Sequence, residues 1–286
     1  MKYEGICHKM HTHLGETVER PDGTLAAQVD YQLALAPFAC PVSDWLGRSI
    51  RLHWTGAIRC VSCGAGTKKS YSQGHCFKCF KTRAHCDLCM VKPDTCHHHL
   101  GTCREPDWAL GYCFNPHIVY LANSSGLKVG LTRHSQMPTR WLDQGARQAI
   151  PVMQTGSRRL AGIVENLFAQ HMADKTDWRA LLRGEAETLD LQALREALQA
   201  QHGAAIEQLR AVYPDEELSW LSGEPVREFA YPVLQYPKKI TSLSLDSTPM
   251  LEGTLQGIKG QYLLLDTGVI NLRKFSGYQI ELEVLD

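Results

Sequence analysis

The sequence predicts an α+β fold in which a β-rich barrel or sandwich is built from the two ends of the chain. Apolar residues alternate along the N-terminal stretch, as in 27–35, and short apolar runs separated by glycines fill residues 249–285. Both patterns are typical of strands. Because isolated hairpins are only marginally stable, neither end is expected to fold alone. We therefore expect the ends to pair, with a cysteine-rich module, a hairpin with two helices and a helical segment inserted between them.

The predicted boundaries follow changes in composition along the 286 residues. The segments are 1–59 (first β segment), 60–113 (cysteine-rich module), 114–176 (hairpin and helices), 177–228 (helical segment) and 229–286 (second β segment). In the helical segment, Asp190 is a suitable N-cap for a helix over 191–212, and Gly203 is a candidate interruption of that helix. Its buried stripe is predicted to be Leu194, Leu198, Ile206 and Leu209.

The net charge of zero conceals an uneven distribution. Residues 60–159 hold 13 Lys and Arg against 5 Asp and Glu, whereas residues 165–228 hold 6 against 13. A basic face attracts phosphate backbones, although two solvated faces of opposite sign would give the same counts. The chain begins without a basic, then apolar, leader and has no apolar stretch of the ~20 residues that a membrane span needs. We predict a cytoplasmic protein with no membrane partner.

Nine of the eleven cysteines lie between residues 60 and 113. The first four form two Cys-x-x-Cys pairs, at Cys60 with Cys63 and at Cys76 with Cys79. Two intervening residues let both thiolates of a pair face one ion, and two such pairs complete the tetrahedral shell that zinc prefers. In a reducing compartment, clustered cysteines bind metal more often than they form disulfides. The pattern predicts a zinc ribbon.

A second group of cysteines predicts a second zinc ion. We expect its ligands to be Cys86, Cys89, Cys96 and Cys103, with His97 as the most plausible substitute. A shell of four protein ligands has no open position for water, so both ions are predicted to be structural. Cys113 is left as a buried thiol or, in a less favoured reading of the chain as a cysteine-based enzyme, as its reactive group.

Basic and aromatic residues are interleaved in the first half of the cysteine-rich module. Cations beside aromatic faces are typical of single-stranded nucleic acid binding, although lysines that solubilise a small aromatic core would look the same. The predicted nucleic-acid-binding residues, with DNA and RNA both open, are Lys68, Lys69, Tyr71, Lys78, Lys81, Arg83 and, further along the chain, Arg133.

After the cysteines, residues 117–122 and 127–132 have the pattern of two strands joined by a hairpin turn. A first helix is predicted near Pro138 and carries Arg140. Apolar residues at helical spacing between Leu160 and Phe168 predict a second helix, with Glu165 on its flank.

Short motifs in this unit resemble the GIY-YIG nuclease fold, in the branch whose second strand reads Lys-Ile-Gly. Tyr120 ends the first motif and Lys128 begins the second, while Arg140 and Glu165 match the helix arginine and the metal-binding glutamate. The resemblance implies a divalent-metal-dependent endonuclease. In it Arg140 stabilises the phosphate, Glu165 holds Mg²⁺ or Mn²⁺, and Tyr120 helps to activate water.

Two departures from that motif keep a second hypothesis open. Ile118 stands where the first glycine belongs, and Lys128 stands where a tyrosine does. A lysine charged at pH 7 can bind phosphate but does not act as a base. The alternative is therefore a non-catalytic zinc adaptor that binds RNA or a protein partner.

A wider resemblance covers nearly the whole chain. Residues 54–60, 69–76, 101–106 and 119–133 are similar to the uncharacterised prokaryotic family called domain of unknown function 2797. That resemblance implies no activity, so function is argued from the site.

Overall fold

The structure, a computed structural model, describes residues 1–170, 177–184 and 186–285. Residues 171–176 of the predicted hairpin-and-helix unit, residue 185 of the predicted helical segment and residue 286 lie outside the described residues. Among the helices that are described, none has the length and apolar character needed to cross a membrane.

The described residues contain fourteen strands. They are β1 (Lys2–Cys7), β2 (His11–Glu19), β3 (Leu25–Ala36), β4 (Phe38–Cys40), β5 (Ser49–Ile58), β6 (His117–Asn123), β7 (Leu127–Arg133), β8 (Gln148–Thr155), β9 (Leu218–Trp220), β10 (Arg227–Ala230), β11 (Met250–Lys259), β12 (Tyr262–Leu265), β13 (Gly268–Asn271) and β14 (Tyr278–Val284). They form one mixed sheet in the order β13-β12-β11-β5-β14-β1-β3-β10-β8-β6-β7, while β2 and β4 pair with β3 and β9 pairs with β8.

Six α-helices lie in the described part of the chain: α1 (Phe77–Thr82), α2 (Pro106–Tyr112), α3 (Thr139–Asp143), α4 (Arg158–Ala169), α5 (Trp178–Arg183) and α6 (Leu191–Val212). The hairpin and both helices predicted around Arg140 and Glu165 are present as β6, β7, α3 and α4. Ser157 caps α4, because its hydroxyl accepts a hydrogen bond from the Leu160 N–H at 3.2 Å.

The two ends of the chain pair as predicted. Strand β14 lies between β1 and β5, antiparallel to both, and β5 also pairs with β11. The prediction that these strands close into a barrel or sandwich was wrong, because the sheet continues past β3. There β3 pairs in parallel with β10, and β10 pairs with β8. The edge of β3 that would close a barrel is used instead to join the ends to the middle of the chain.

The sheet buries two main apolar clusters. One lies under the terminal strands and extends to Tyr120 and Trp141, both fully buried. The other packs β6, β7 and β8 against α4 and α6. Since β6 contributes alternate residues to the two clusters, both of its faces are covered, and all of its residues are buried.

Helix α6 spans the predicted residues. The Asp190 carboxylate caps it by accepting a hydrogen bond from the Ala193 N–H at 3.0 Å. Leu198 and Ile206 on the predicted stripe are buried. Gly203 does not interrupt the helix, because packing of the apolar stripe outweighs the cost of about 1 kcal/mol that a glycine brings to a helix interior.

Candidate functional site

The four cysteines predicted to bind the first zinc come together at the end of β5 and the start of α1. Their sulfur atoms all lie within 4.8 Å of one another, and the Sγ atoms of Cys63 and Cys76 are 3.9 Å apart. Four thiolates around zinc, with Zn–S bonds of about 2.3 Å, require sulfur separations of roughly 3.8 Å. The geometry of Cys60, Cys63, Cys76 and Cys79 therefore fits a structural zinc ion.

Glycines shape the two turns that carry these cysteines. Gly64 has φ +71° and donates its N–H to the Cys60 carbonyl at 2.8 Å, which closes the first turn. Gly74, at φ +98°, packs so tightly that a Cβ there would lie 2.8 Å from the Ser276 carbonyl oxygen. The ribbon is also joined to the sheet, since the Arg59 N–H donates to the Gly277 carbonyl at 2.7 Å.

Two thiols of this cluster differ in acidity. Burial alone would raise the pKa of Cys60, but backbone hydrogen bonds at Cys76, Ser62 and Cys63 outweigh it and lower that pKa to about 6. Burial, together with hydrogen bonds with neighbouring thiols, raises the pKa of Cys79 to about 12. A metal must therefore displace the Cys79 proton at neutral pH, so binding releases protons and weakens as the pH falls.

The second metal group differs from the predicted one. The four predicted cysteines are not all within 4.8 Å of one another; among described residues, Asp87, Cys89 and His97 are. The His97 Nε2 lies 3.4 Å from Asp87 Oδ2, which also pairs with Arg104 Nε at 2.8 Å. Burial raises the pKa of the Cys86 thiol, and Cys60 of the first cluster adds a smaller rise.

Three other thiols of the module affect the acidity of Cys89. Burial raises the pKa of Cys89 to about 11, followed by the effects of Asp87, Cys96, Cys113 and Cys103. His97 was foreseen as a substitute ligand, whereas Asp87 was missed although it lies inside the Cys86-x-x-Cys89 pair. The ligand set of a second zinc remains a prediction.

A cavity of about 550 Å³ opens beside the hairpin. Three of the four predicted catalytic residues line it from separate elements: Lys128 from β7, Arg140 from α3 and Glu165 from α4. Six basic residues face it against two acidic ones. The basic residues are Lys9, Lys128, Arg133, Arg140, Arg158 and Arg273, and the acidic ones are Asp143 and Glu165. Such an excess of positive charge favours a phosphate-bearing ligand.

Some of the basic residues were missed by the sequence analysis. Lys9 comes from the turn after β1 and pairs with Asp143 at 2.5 Å. Arg158 follows the N-cap of α4, and Arg273 comes from the C-terminal segment. A lone arginine or lysine in a distant segment carries no motif, so only the folded chain brings these side chains together.

Tyr120, the fourth predicted catalytic residue, does not line the cavity but contacts Gly130 and Gln144, which do. Its ring is fully buried, and its hydroxyl donates a hydrogen bond to Gln144 Oε1 at 2.9 Å. Burial raises the pKa of this hydroxyl, Arg140 opposes the rise, and Glu165 adds to it. The phenol is therefore protonated at neutral pH and acts as a hydrogen-bond donor.

Gly130, which follows Lys128-Val129 on β7, lies against the Tyr120 ring, where no side chain fits. It pairs with Tyr120 across the hairpin, and a Cβ at this position would lie 2.6 Å from the tyrosine Oη. We expect Gly130→Ala to displace the Tyr120 ring and to lower the free energy of unfolding by about 1–3 kcal/mol, as overpacking does. Urea denaturation measures this change. The control is Gly111→Ala in α2, where a Cβ meets nothing within 4 Å; equal effects of the two substitutions would contradict the account.

The cysteine-rich module forms one wall of the cavity and supports the helix that carries Glu165. The turn Pro93–Thr95 packs on α4 so closely that a Cβ on Gly162 would lie 2.7 Å from the Asp94 nitrogen. Arg158 fastens the same contact, because its Nη2 donates to the Met90 carbonyl at 2.8 Å and its N–H to the Cys113 carbonyl at 2.7 Å. Loss of order in the module would thus remove a support of α4.

The predicted nucleic-acid-binding residues separate into three environments. Lys69, Tyr71, Phe77 and Lys81 form an exposed group, here called the ribbon patch: the two ring centroids are 5.3 Å apart, and each lysine amine lies within 6 Å of a ring. Lys68 and Lys78 are exposed beside it.

The two arginines of the predicted set are held elsewhere. Arg83 pairs with Glu105 at 2.6 Å, which gives it a structural role in the module. Arg133 lines the cavity, and its guanidinium lies 4.0 Å above the Tyr112 ring.

Comparison with known proteins shows which family the chain belongs to. The family model described as protein of unknown function (DUF2797) matches residues 47–280, which is most of the chain. The chain belongs to this family. The part of this DUF2797 protein that matches includes the four-cysteine cluster and the cavity residues from Lys128 to Arg273, whereas Lys9 lies before it. No curated protein and no solved structure matches the chain. Since the family description carries no activity, function rests on the site itself.

Proposed function

We propose that this protein binds nucleic acid and that its cationic cavity cleaves phosphodiester bonds with the help of a divalent cation. The observation that carries the proposal is the convergence of Lys128, Arg140 and Glu165, from three separate elements, on one cavity. These are the residues that the resemblance to the GIY-YIG fold selects for phosphate and metal binding.

Each cavity residue has a role that fits its chemistry. The Arg140 guanidinium offers paired donors to a phosphate, and Lys128 adds a positive charge. Glu165 would hold Mg²⁺ or Mn²⁺, since both are hard cations that prefer carboxylate oxygen. The cation, when bound, lowers the pKa of water and polarises the phosphate. Tyr120 donates its one hydroxyl proton to Gln144, which lines the cavity, so its role would be to position Gln144 beside the attacking water or the phosphate.

The remaining parts would hold the strand and keep the site in shape. The ribbon patch pairs exposed aromatic faces with lysines, the combination that binds single-stranded nucleic acid without sequence preference. Zinc ions, one at the four-cysteine cluster and a second near Cys89, would stabilise the module that supports α4.

A second candidate function is a non-catalytic zinc adaptor that binds RNA or a protein partner. Two observations favour it. The raised pKa of Tyr120 keeps its hydroxyl protonated, and Lys128 replaces the second tyrosine. Neither residue is then a base, so the adaptor hypothesis expects binding without cleavage.

An assay of cleavage and binding separates the two functions. Labelled single- and double-stranded DNA and RNA are incubated with the full-length protein and Mg²⁺ or Mn²⁺. We expect Glu165→Ala to reduce cleavage by about a hundredfold or more, because the metal contributes several kcal/mol to transition-state stabilisation. Binding should stay nearly unchanged.

The control for Glu165→Ala is Glu196→Ala, which removes an exposed carboxylate on α6. It should cut at the unsubstituted rate. Full-rate cleavage by Glu165→Ala would exclude Glu165 as the metal ligand, and binding of any substrate without cleavage would favour the adaptor.

A further inference from the structure

A second cavity, of about 420 Å³, lies on another part of the sheet. Its walls come from the turn after β2, from Arg147 just before β8 and from the chain next to α5. Strand β10 with the segment after it, and Lys259 at the end of β11, complete the lining. None of the described residues lines both cavities. The proposed phosphodiesterase therefore makes no use of this space.

Lys259 is a buried cation that has no counter-ion among the described residues. The residue is 3% exposed, and its amine lies 5.5 Å from the ring centroid of Tyr231 and 5.4 Å from that of Tyr236. No described residue forms a hydrogen bond or an ion pair with the amine. A buried charge is normally paired, so burying this amine without an acceptor is energetically unfavourable.

Arg147, which also lines the cavity, has a second donor without an acceptor among the described residues. Its Nε is buried and has no acceptor among the described residues. Its other nitrogens are occupied: Nη2 pairs with Asp22 and with Thr188 Oγ1, and Nη1 donates to the Ala186 carbonyl. The guanidinium is thus fixed in place while one of its N–H groups remains unused.

The neighbouring Arg20 already has acceptors for both of its terminal nitrogens. Its Nη1 pairs with Glu228 Oε2 at 2.9 Å, and its Nη2 donates to the carbonyls of Arg147 and Phe229 at 2.9 and 2.6 Å. The unmet hydrogen-bonding capacity of the cavity therefore lies with Lys259 and Arg147.

We propose that this cavity binds a small molecule through an anionic group, a phosphate or a carboxylate, held between the Lys259 amine and the Arg147 Nε. An anion would satisfy both donors at once and would neutralise the buried charge. The rings of Tyr231 and Tyr236 form walls for the rest of the ligand. The exposed residues Pro21 and Asp22 mark the mouth through which it enters.

The acidity of Lys259 agrees with this geometry. Burial, together with the positive charges of Arg147 and Arg20, lowers its pKa to about 8. The tyrosines that face the amine, Tyr231 and Tyr236, have raised pKa values and stay neutral. A bound anion would stabilise the protonated amine and so raise the lysine pKa.

The test uses inorganic phosphate and acetate as probes. The protein is full-length Arg140→Ala, in which binding of phosphate to the first cavity is weakened. Calorimetric titration should detect binding of the probes. Lys259→Met should raise their Kd by about tenfold or more, the effect of losing one charge-assisted hydrogen bond. Lys259→Arg should retain most of this binding, and Lys239→Met, which removes an exposed lysine, should change nothing. Tighter binding of phosphate than of acetate identifies the ligand as a phosphate ester, and the reverse as a carboxylate.

A second measurement is independent of whether the variants fold. In protein labelled with ¹³C at lysine Cε, the Lys259 resonance, assigned by its absence in Lys259→Arg, should titrate at higher pH when the tighter-binding anion is present. A titration unchanged by saturating phosphate and acetate, or equal affinities of Lys259→Met and its parent, would overturn the proposal.

Discussion

Replacing Cys76 by serine is expected to remove one zinc ion per chain and to unfold the ribbon around it. The segment from Cys60 to Thr82 contains one short helix and few buried apolar side chains, so metal binding provides most of its folding free energy. In zinc-finger peptides that contribution is about 10–16 kcal/mol. Elemental analysis measures the loss of zinc, and limited proteolysis should show new cleavage within the ribbon.

The matched control is Cys7→Ala. Cys7 is fully buried at the end of β1 and belongs to neither group of candidate metal ligands in the described chain. This variant should lose some stability and keep all its zinc. Equal zinc contents in the Cys76→Ser protein and the unsubstituted protein would show that the four sulfurs do not share an ion.

Replacing Arg140 by alanine should give the second large effect. Arg140 lines the cavity from α3 and lies close enough to Tyr120 to lower the pKa of its hydroxyl. Loss of one preorganised donor to a developing charge costs about 10²–10³ in rate. We expect cleavage to fall by that factor, and the slope of log affinity against log salt to decrease by about one phosphate contact.

Arg179→Ala is the comparison for this substitution. Arg179 stacks on Trp178 in α5, 4.5 Å from the ring, and does not line the cavity. It should leave both the cleavage rate and the salt slope unchanged. If the two substitutions had the same effect, general basicity and not the position of Arg140 would explain nucleic-acid binding.

Local signals in the sequence were sufficient to predict individual elements. Asp190 and the apolar stripe after it predicted α6, because a cap and a helical period act over a few residues. The double Cys-x-x-Cys spacing predicted which four sulfurs meet. The hairpin of β6 and β7 was predicted for the same reason, since its turn is local.

Long-range pairing could not be predicted in this way. The parallel contact between β3 and β10 joins residues about two hundred positions apart and is held by the ion pair of Arg20 with Glu228. The residue pattern of neither strand indicates that the other is its pairing partner. The same reason explains why Arg273 and Lys259 were not recognised as cavity residues.

The proposed reaction requires a metal held by Glu165 to contact a phosphate in the cationic cavity. Cleavage of an oligonucleotide with sulfur in place of a non-bridging phosphate oxygen tests it most directly, because Mg²⁺ binds sulfur poorly and Mn²⁺ binds it better. We predict slow cleavage of this oligonucleotide in Mg²⁺, restored by Mn²⁺ in the unsubstituted protein and not in Glu165→Ala. Equal rates in the two metals, or no cleavage of normal or substituted strands, would contradict the account.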